Sequence, residues 1–243
     1  MRSVYSIILL ALFLSCQKPL DQETKNEKNR TEGNIKEGLV KTYDDSGNVH
    51  TEINYKAGLK HGKSLLYHDG SDQIMLEMNY ENGKRSGIAR KYYEDGKVYA
   101  ETPYVDDEVS GIVKLYYRSG KLKAEVPYHQ SNSGLGLKEY FTSGELKTDM
   151  PEIMVRKQRV ENQYIYYFSI DDCTEANFFI GALLNNEYLI EKPPFVEVLP
   201  KRYGEGIYGF PESLIGETIN VICKCRTTAK NPYVTRKVME LGE

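Results

Sequence analysis

Tyr92-Tyr93-Glu94-Asp95-Gly96-Lys97-Val98-Tyr99-Ala100-Glu101-Thr102-Pro103-Tyr104 is the stretch that decides the fold. Its Asp-Gly step supplies the positive φ that a tight hairpin turn requires. Beyond the turn, residues 98, 100, 102 and 104 alternate onto one face, as in a half-buried strand. The same pattern returns as Tyr116-Tyr117-Arg118-Ser119-Gly120-Lys121-Leu122-Lys123-Ala124-Glu125-Val126-Pro127-Tyr128, with 122, 124, 126 and 128 sharing a face.

Working outward, glycines at 38, 62, 87, 111 and 136 recur every 24 or 25 residues. Five residues after each stands an aromatic: Tyr43, Tyr67, Tyr92, Tyr116 and Phe141. Turn glycines follow at Gly47, Gly70, Gly96, Gly120 and Gly144, then acids at Glu52, Glu77, Glu101, Glu125 and Asp149. A second tyrosine closes four of the units, at Tyr55, Tyr80, Tyr104 and Tyr128. Only Ser71 and Asp72, after the second turn, need to be set aside to keep the register. One hairpin of this size is marginal in water, so neighbours must stack to bury the tyrosine and aliphatic face. The repeat predicts an all-β, elongated antiparallel β-hairpin array over residues 38–150. The doubled tyrosines are expected to point to opposite faces of their strands, which makes Tyr93 and Tyr117 the candidate binding surface.

The two quoted segments resemble the MORN-repeat-variant consensus, and the resemblance spans about 38–150. It implies a stacked β-hairpin sheet. Bacterial proteins of this kind are often assigned as antitoxin components of toxin–antitoxin pairs, so it also implies an antitoxin role as an alternative function. The second unit lacks the doubled tyrosine, the segment after Tyr128 reads His-Gln-Ser-Asn-Ser-Gly-Leu-Gly, and the last unit ends early at Pro151.

After Pro151 the periodicity changes. Strands are predicted over 152–159, 164–170, 177–184, 188–190, 195–199, 206–210, 218–226 and 233–241, punctuated by Asn185-Asn186, Pro193-Pro194 and Asn231-Pro232. Seven or eight short strands in about 90 residues suggest an immunoglobulin-like β-sandwich over 151–243. Ile219, Val221, Cys223 and Cys225 share one strand face, the buried one. Cys173 is within reach of either Cys223 or Cys225, and an exported chain permits a disulfide to either.

The N-terminus carries an address. Met1-Arg2-Ser3 is a short positive segment, and Val4 to Leu14 is apolar but too short for an ordinary spanning helix, which needs roughly 20 residues. The run stops at Ser15-Cys16, which resembles a bacterial lipobox. The resemblance implies a lipoprotein signal peptide over 1–15 and lipid attachment at Cys16. Residues 16–37 then read as a disordered tether, because Asp21 to Glu37 holds a single apolar residue, Ile35. The expected location is the bacterial cell envelope, lipid-anchored, on the outer membrane.

The chain has 243 residues and a formal charge of −3, with 20 Tyr, 7 Phe and no Trp. Residues 38–147 hold 15 Lys and Arg against 16 Asp and Glu, which supplies no positive field for nucleic acid. The acid column has one member per unit, so cross-strand ion pairs with Lys41, Arg90 and Lys114 account for it better than paired catalytic carboxylates. His50, His61, His68 and His129 share no repeat position and read as solvated turn side chains. No nucleophile–base pair, metal-ligand spacing, phosphate loop or dinucleotide fingerprint occurs, so no catalytic residue, metal or cofactor is expected. The function expected is a membrane-tethered, non-enzymatic binding or scaffold lipoprotein presenting its repeat surface to an envelope protein. The enzymatic alternative is a subunit with a site in the sandwich loops, around Asp171-Asp172, Lys201-Arg202-Tyr203 and Glu205.

Overall fold

The computed structural model describes residues 35–181, 196–197, 199–201 and 205–242. The signal segment, Cys16, the first part of the tether, the strand expected at 188–190, and Arg202 and Tyr203 lie outside the described residues.

The first sheet is a meander. Strands β1 (Gly38–Tyr43), β2 (Val49–Lys56), β3 (Leu59–Tyr67) and β4 (Ile74–Glu81) follow one another, each antiparallel to the last. The next long strand is split at Ser86 into β5 (Lys84–Arg85) and β6 (Gly87–Tyr92), both paired to β4. The pattern repeats with β7 (Val98–Val105), the split pair β8 (Glu108–Val109) and β9 (Gly111–Tyr116), then β10 (Leu122–His129), β11 (Asn132–Ser133) and β12 (Lys138–Glu139). Two kinds of turn drive it. Glu94-Asp95-Gly96 forms a three-residue loop closed by Tyr93 N–H to the Lys97 carbonyl at 2.8 Å. All five turn glycines, Gly47, Gly70, Gly96, Gly120 and Gly144, have positive φ, as the sequence predicts. The opposite turns are two-residue steps with positive φ at both positions: Ala57-Gly58, Asn82-Gly83, Asp106-Asp107 and Gln130-Ser131.

A bulge follows each of the first four glycine turns: His50, Met75, Tyr99 and Lys123 are the extra residues, facing Thr42/Tyr43, Leu66/Tyr67, Lys91/Tyr92 and Leu115/Tyr116 on the strand before the turn. The extra residue breaks the strict alternation expected at 98–104 and increases the local twist.

The fifth unit sits one residue away from its expected alignment. Tyr140 repeats Tyr116, and Phe141 repeats Tyr117. Phe141 N–H closes the turn to Glu145 as Tyr117 N–H closes it to Lys121. Gly134 N–H meets Pro127 as Ser110 N–H meets Pro103. Leu135, not Gly136, therefore occupies the unit-opening glycine position.

The C-terminal body has two four-stranded antiparallel sheets. One runs β13 (Ile153–Val160), β14 (Gln163–Ile170), β18 (Glu205–Pro211), β17 (Leu199–Lys201). The other runs β16 (Val196–Glu197), β15 (Cys173–Ile180), β19 (Thr218–Thr227), β20 (Pro232–Glu240). One short 3-10 turn, Glu212–Leu214, leads into β19. Tyr166, Phe168 and Ile170 from β14 alternate inward against Phe178, Val221, Cys223 and Cys225 from the facing sheet. The Phe168 and Phe178 rings lie 6.1 Å apart across the interface.

This core does not stop at the body's edge. Ala124, Val126 and Leu137 of the repeat sheet belong to the same buried cluster, with Val113, Leu115 and Tyr128 packed against it. The array is thus a two-faced sheet over its early units, while its last units share one core with the sandwich.

Candidate functional site

The acid column is the axis of the array. Lys41 pairs with Glu52 at 2.8 Å and Arg90 with Glu101 at 3.0 Å. Lys114 stands in register opposite Glu101 and Glu125, but the cation nearest Glu125 is Lys138, at 3.8 Å. Each glutamate also accepts a hydroxyl from the following unit: Tyr116 donates to Glu101 at 2.9 Å and Tyr140 to Glu125 at 2.8 Å. Burial, followed by the Glu101 carboxylate, pushes the Tyr116 phenol up to about 12. The hydrogen bonds from Tyr116 and Arg90 outweigh burial at Glu101 and hold its carboxyl below the usual range. These carboxylates are therefore consumed by stacking.

The second tyrosine of each doublet reaches forward. Tyr93 donates its hydroxyl to the Tyr116 carbonyl at 2.8 Å, and Tyr117 donates to the Tyr140 carbonyl at 2.6 Å. Tyr93 also meets Tyr99 edge-on at 5.2 Å and lies under the Arg118 guanidinium at 5.1 Å. Both rings are half-buried. The expectation that Tyr93 and Tyr117 stand exposed is corrected here, because each sits at a turn, where its hydroxyl ties one unit to the next. The other tyrosine column is likewise engaged: Lys36, Lys60 and Arg85 lie 5.2, 5.0 and 4.5 Å from the centres of Tyr55, Tyr80 and Tyr104.

The junction between array and sandwich holds a buried polar site. Glu139 is 3% exposed. It stands in the column occupied by Thr42, Leu66, Lys91 and Leu115 in the earlier units, on the sheet face that turns toward the sandwich. Its carboxylate accepts from Thr227 Oγ1 at 2.6 Å and from Asn231 Nδ2 at 2.5 Å, and pairs with Lys147 Nζ at 3.2 Å. Thr227 and Asn231, both 3% exposed, close the turn of the β19–β20 hairpin, where Thr227 N–H also bonds the Asn231 carbonyl at 3.0 Å. A buried carboxylate survives only with such compensation. Beside it, Leu135 packs against the cluster of Ile222 and Val234 on the β19–β20 pair, which Phe179 of β15 also joins. Sequence reasoning missed this site. Its signal was present in two departures from the repeat, an acid in a column without acids and a leucine in the glycine column.

Cys173 bonds Cys225, with Cα atoms 5.9 Å apart, which selects between the two pairings left open. Cys223 remains a buried thiol, pushed up to about 12 by burial. The cysteines thus face the core as expected. The disulfide joins β15 to β19 two residues from Thr227, bracing the hairpin that docks on Glu139.

The histidines differ from expectation. His50, His61 and His129 lie in strands rather than turns. Nδ1 of His61 and Nε2 of His68 are buried without a hydrogen-bond partner. Among the described residues no three His, Cys, Asp or Glu side chains gather as metal ligands. Two open grooves flank β20. One is lined in part by Met150, Ile153 and Tyr233, the other by Val155, Tyr166 and Met239, and neither pairs a nucleophile with a base.

Three segments, residues 36–57, 85–106 and 110–130, match the MORN repeat variant family model. They coincide with the first, third and fourth units. The second and fifth units of the array, which the family model does not match, are the ones with the lengthened turn and with the junction residues. Comparison with curated proteins and with solved structures finds no match to this chain.

Proposed function

We propose that this protein is a membrane-tethered, non-enzymatic scaffold lipoprotein of the bacterial envelope that presents its MORN-type array to a protein partner. The observation that supports this reading most directly is the Glu139–Thr227–Asn231 dock. It locks the array onto the sandwich as one unit, which suits holding a surface in a defined orientation. Glu101, Glu125, Tyr93, Tyr116, Tyr117 and Tyr140 are spent on holding one unit to the next, which makes their chemistry structural. The C-terminal body reads as immunoglobulin-like. Counting its strands, the order first, second, sixth, fifth against fourth, third, seventh, eighth is that of such a sandwich. Its disulfide suits an exported protein. The anchor is the lipid on Cys16, placed by the apolar run that ends at Ser15-Cys16.

The test has two parts. Cys16→Ala should move the protein from the membrane fraction to the soluble fraction or stall its export. Crosslinking in intact cells followed by detergent extraction should recover one stoichiometric envelope protein. Membrane partition unchanged by Cys16→Ala refutes the anchor, and recovery of a cytoplasmic toxin in place of an envelope protein refutes the scaffold reading.

A further inference from the structure

We propose that the open edge of β1 receives a glutamate-bearing β-strand from a protein partner. The inference rests on the scaffold reading and specifies where and how the partner binds.

The array itself shows what a first strand accepts. β6 takes Leu76 opposite Lys91 and Glu77 opposite Arg90 from the preceding unit. β9 takes Ala100 opposite Leu115 and Glu101 opposite Lys114. β12 takes Ala124 opposite Glu139 and Glu125 opposite Lys138. At three of the four junctions between units the incoming strand offers a small or aliphatic residue followed by a glutamate; at the other, β3 takes Thr51 opposite Leu66 and Glu52 opposite Leu65. Three times the glutamate lands opposite a cation, two residues before a tyrosine of the receiving unit.

The matching residues of β1 are Thr42 and Lys41. Among the described residues β1 pairs with β2 alone, so its other edge carries no strand. Lys41 already holds Glu52 at 2.8 Å and keeps 41% of its side chain exposed. Arg90 shows that one such cation serves two acids, with Glu101 at 3.0 Å and Glu77 of the preceding unit at 3.9 Å. Flanking this edge, Ile35 and Leu39 are 53% and 44% exposed. An exposed edge of this kind is a template for strand addition, in which the backbone ladder contributes affinity and alternate side chains contribute specificity.

Charge decides the occupant. Pairing β1 with β1 of a second copy would set Lys41 against Lys41, or against Glu37, whose carboxylate already accepts from Ala57 N–H at 2.6 Å. In a second copy the acid-bearing strands of the array, β2, β4, β7 and β10, are already paired on both sides, and the acids of the edge strands β16 and β20, Glu197 and Glu240, are the last residues of their strands, which leaves no strand to run beside Gly38 to Val40. The edge is therefore complementary to a different protein, one with an extended Ala-Glu or Leu-Glu step.

The probe is a fluorescent peptide with the sequence of residues 97–106, Lys-Val-Tyr-Ala-Glu-Thr-Pro-Tyr-Val-Asp, titrated into the purified full-length chain. Saturable binding is expected. Glu101→Gln in the peptide should weaken it about tenfold, the loss of one hydrogen bond to a charged group. Lys41→Glu in the protein should do the same, and Lys41→Gln should confirm the effect if Lys41→Glu unfolds. Pairing Lys41→Glu protein with Glu101→Lys peptide should restore affinity. Absence of saturable binding, or affinity indifferent to Glu101 and Lys41, overturns the proposal. So does self-association of the chain that blocks the peptide, which assigns the edge to a second copy. If the peptide fails while crosslinking still captures an envelope protein, the scaffold reading stands and only its edge assignment falls.

Discussion

The hydroxyl of Tyr117 donates to the carbonyl oxygen of Tyr140, 2.6 Å away and one repeat further along the chain. Tyr93 does the same to Tyr116 at 2.8 Å. The second tyrosine of the doublet is thus a link between units, and its removal should register as lost stability. Tyr93→Phe with Tyr117→Phe keeps both rings and deletes both hydroxyls. At about 1 kcal/mol per hydrogen bond, the double variant should lose about 2 kcal/mol in denaturant unfolding. An unmoved transition would show that the hydroxyls contribute nothing and return these residues to candidacy as a binding surface.

Glu139 is the acceptor on which Thr227, Asn231 and Lys147 converge. Glu139→Ala strands two buried donors and one cation at once and should cost about 3–5 kcal/mol, as broken buried pairs do. The array and the sandwich share one core, so the wild-type protein should melt in a single calorimetric transition. Glu139→Ala combined with Leu135→Gly should split that transition in two. A wild-type protein that already melts in two steps contradicts the shared core.

The repeat was legible because its physics is local. A turn glycine needing positive φ, an alternating strand and an acid opposite a base recur at fixed spacing, and each leaves a mark in the sequence. The sandwich strands were legible for similar reasons: Tyr164 to Ile170 and Thr218 to Arg226 match β14 and β19 to within a residue. What escaped was non-local. The one-residue shift in the fifth unit hides behind Gly136, which imitates the glycine column while Leu135 fills it. Glu139 looks like one more surface acid until the β19–β20 hairpin, about ninety residues later, closes over it. The doubled tyrosines misled because a bulge and a turn, not an ideal strand, set where they point.

Gly120 tests the turn geometry free of packing. Its φ is 85°, and an added Cβ would meet nothing within 4 Å. The cost of Gly120→Val is therefore conformational, about 1–3 kcal/mol for a β-branched residue held in that region. Lys121→Val next door loses only an exposed bond from Nζ to the Ser143 carbonyl at 2.8 Å and should cost less than about 1 kcal/mol. Urea midpoints of the two variants measure the difference. Equal shifts would remove the left-handed turn assignment.

The alkaline limb of stability should report the core thiol. Burial pushes Cys223 up to about 12, and Tyr116 is likewise pushed up to about 12. In the unfolded chain a thiol titrates near 8.5 and a phenol near 10. Both are acids whose native pKa lies above the unfolded value, so as pH rises the unfolded chain loses its proton first and ionisation favours unfolding. Their stabilising contribution is whole below about pH 8.5 and is lost progressively as pH climbs toward 12. Denaturant midpoints should therefore hold level near neutrality and fall across that alkaline window, with the early part of the fall flattened in Cys223→Ala. The same burial predicts chemistry. Only a thiolate attacks a labelling reagent, so of the three cysteines in the described residues none should react in native protein at about pH 8, and Cys223 alone should react once denaturant opens the core. Rapid native labelling of Cys223 would put it outside the core and undo the placement of β19.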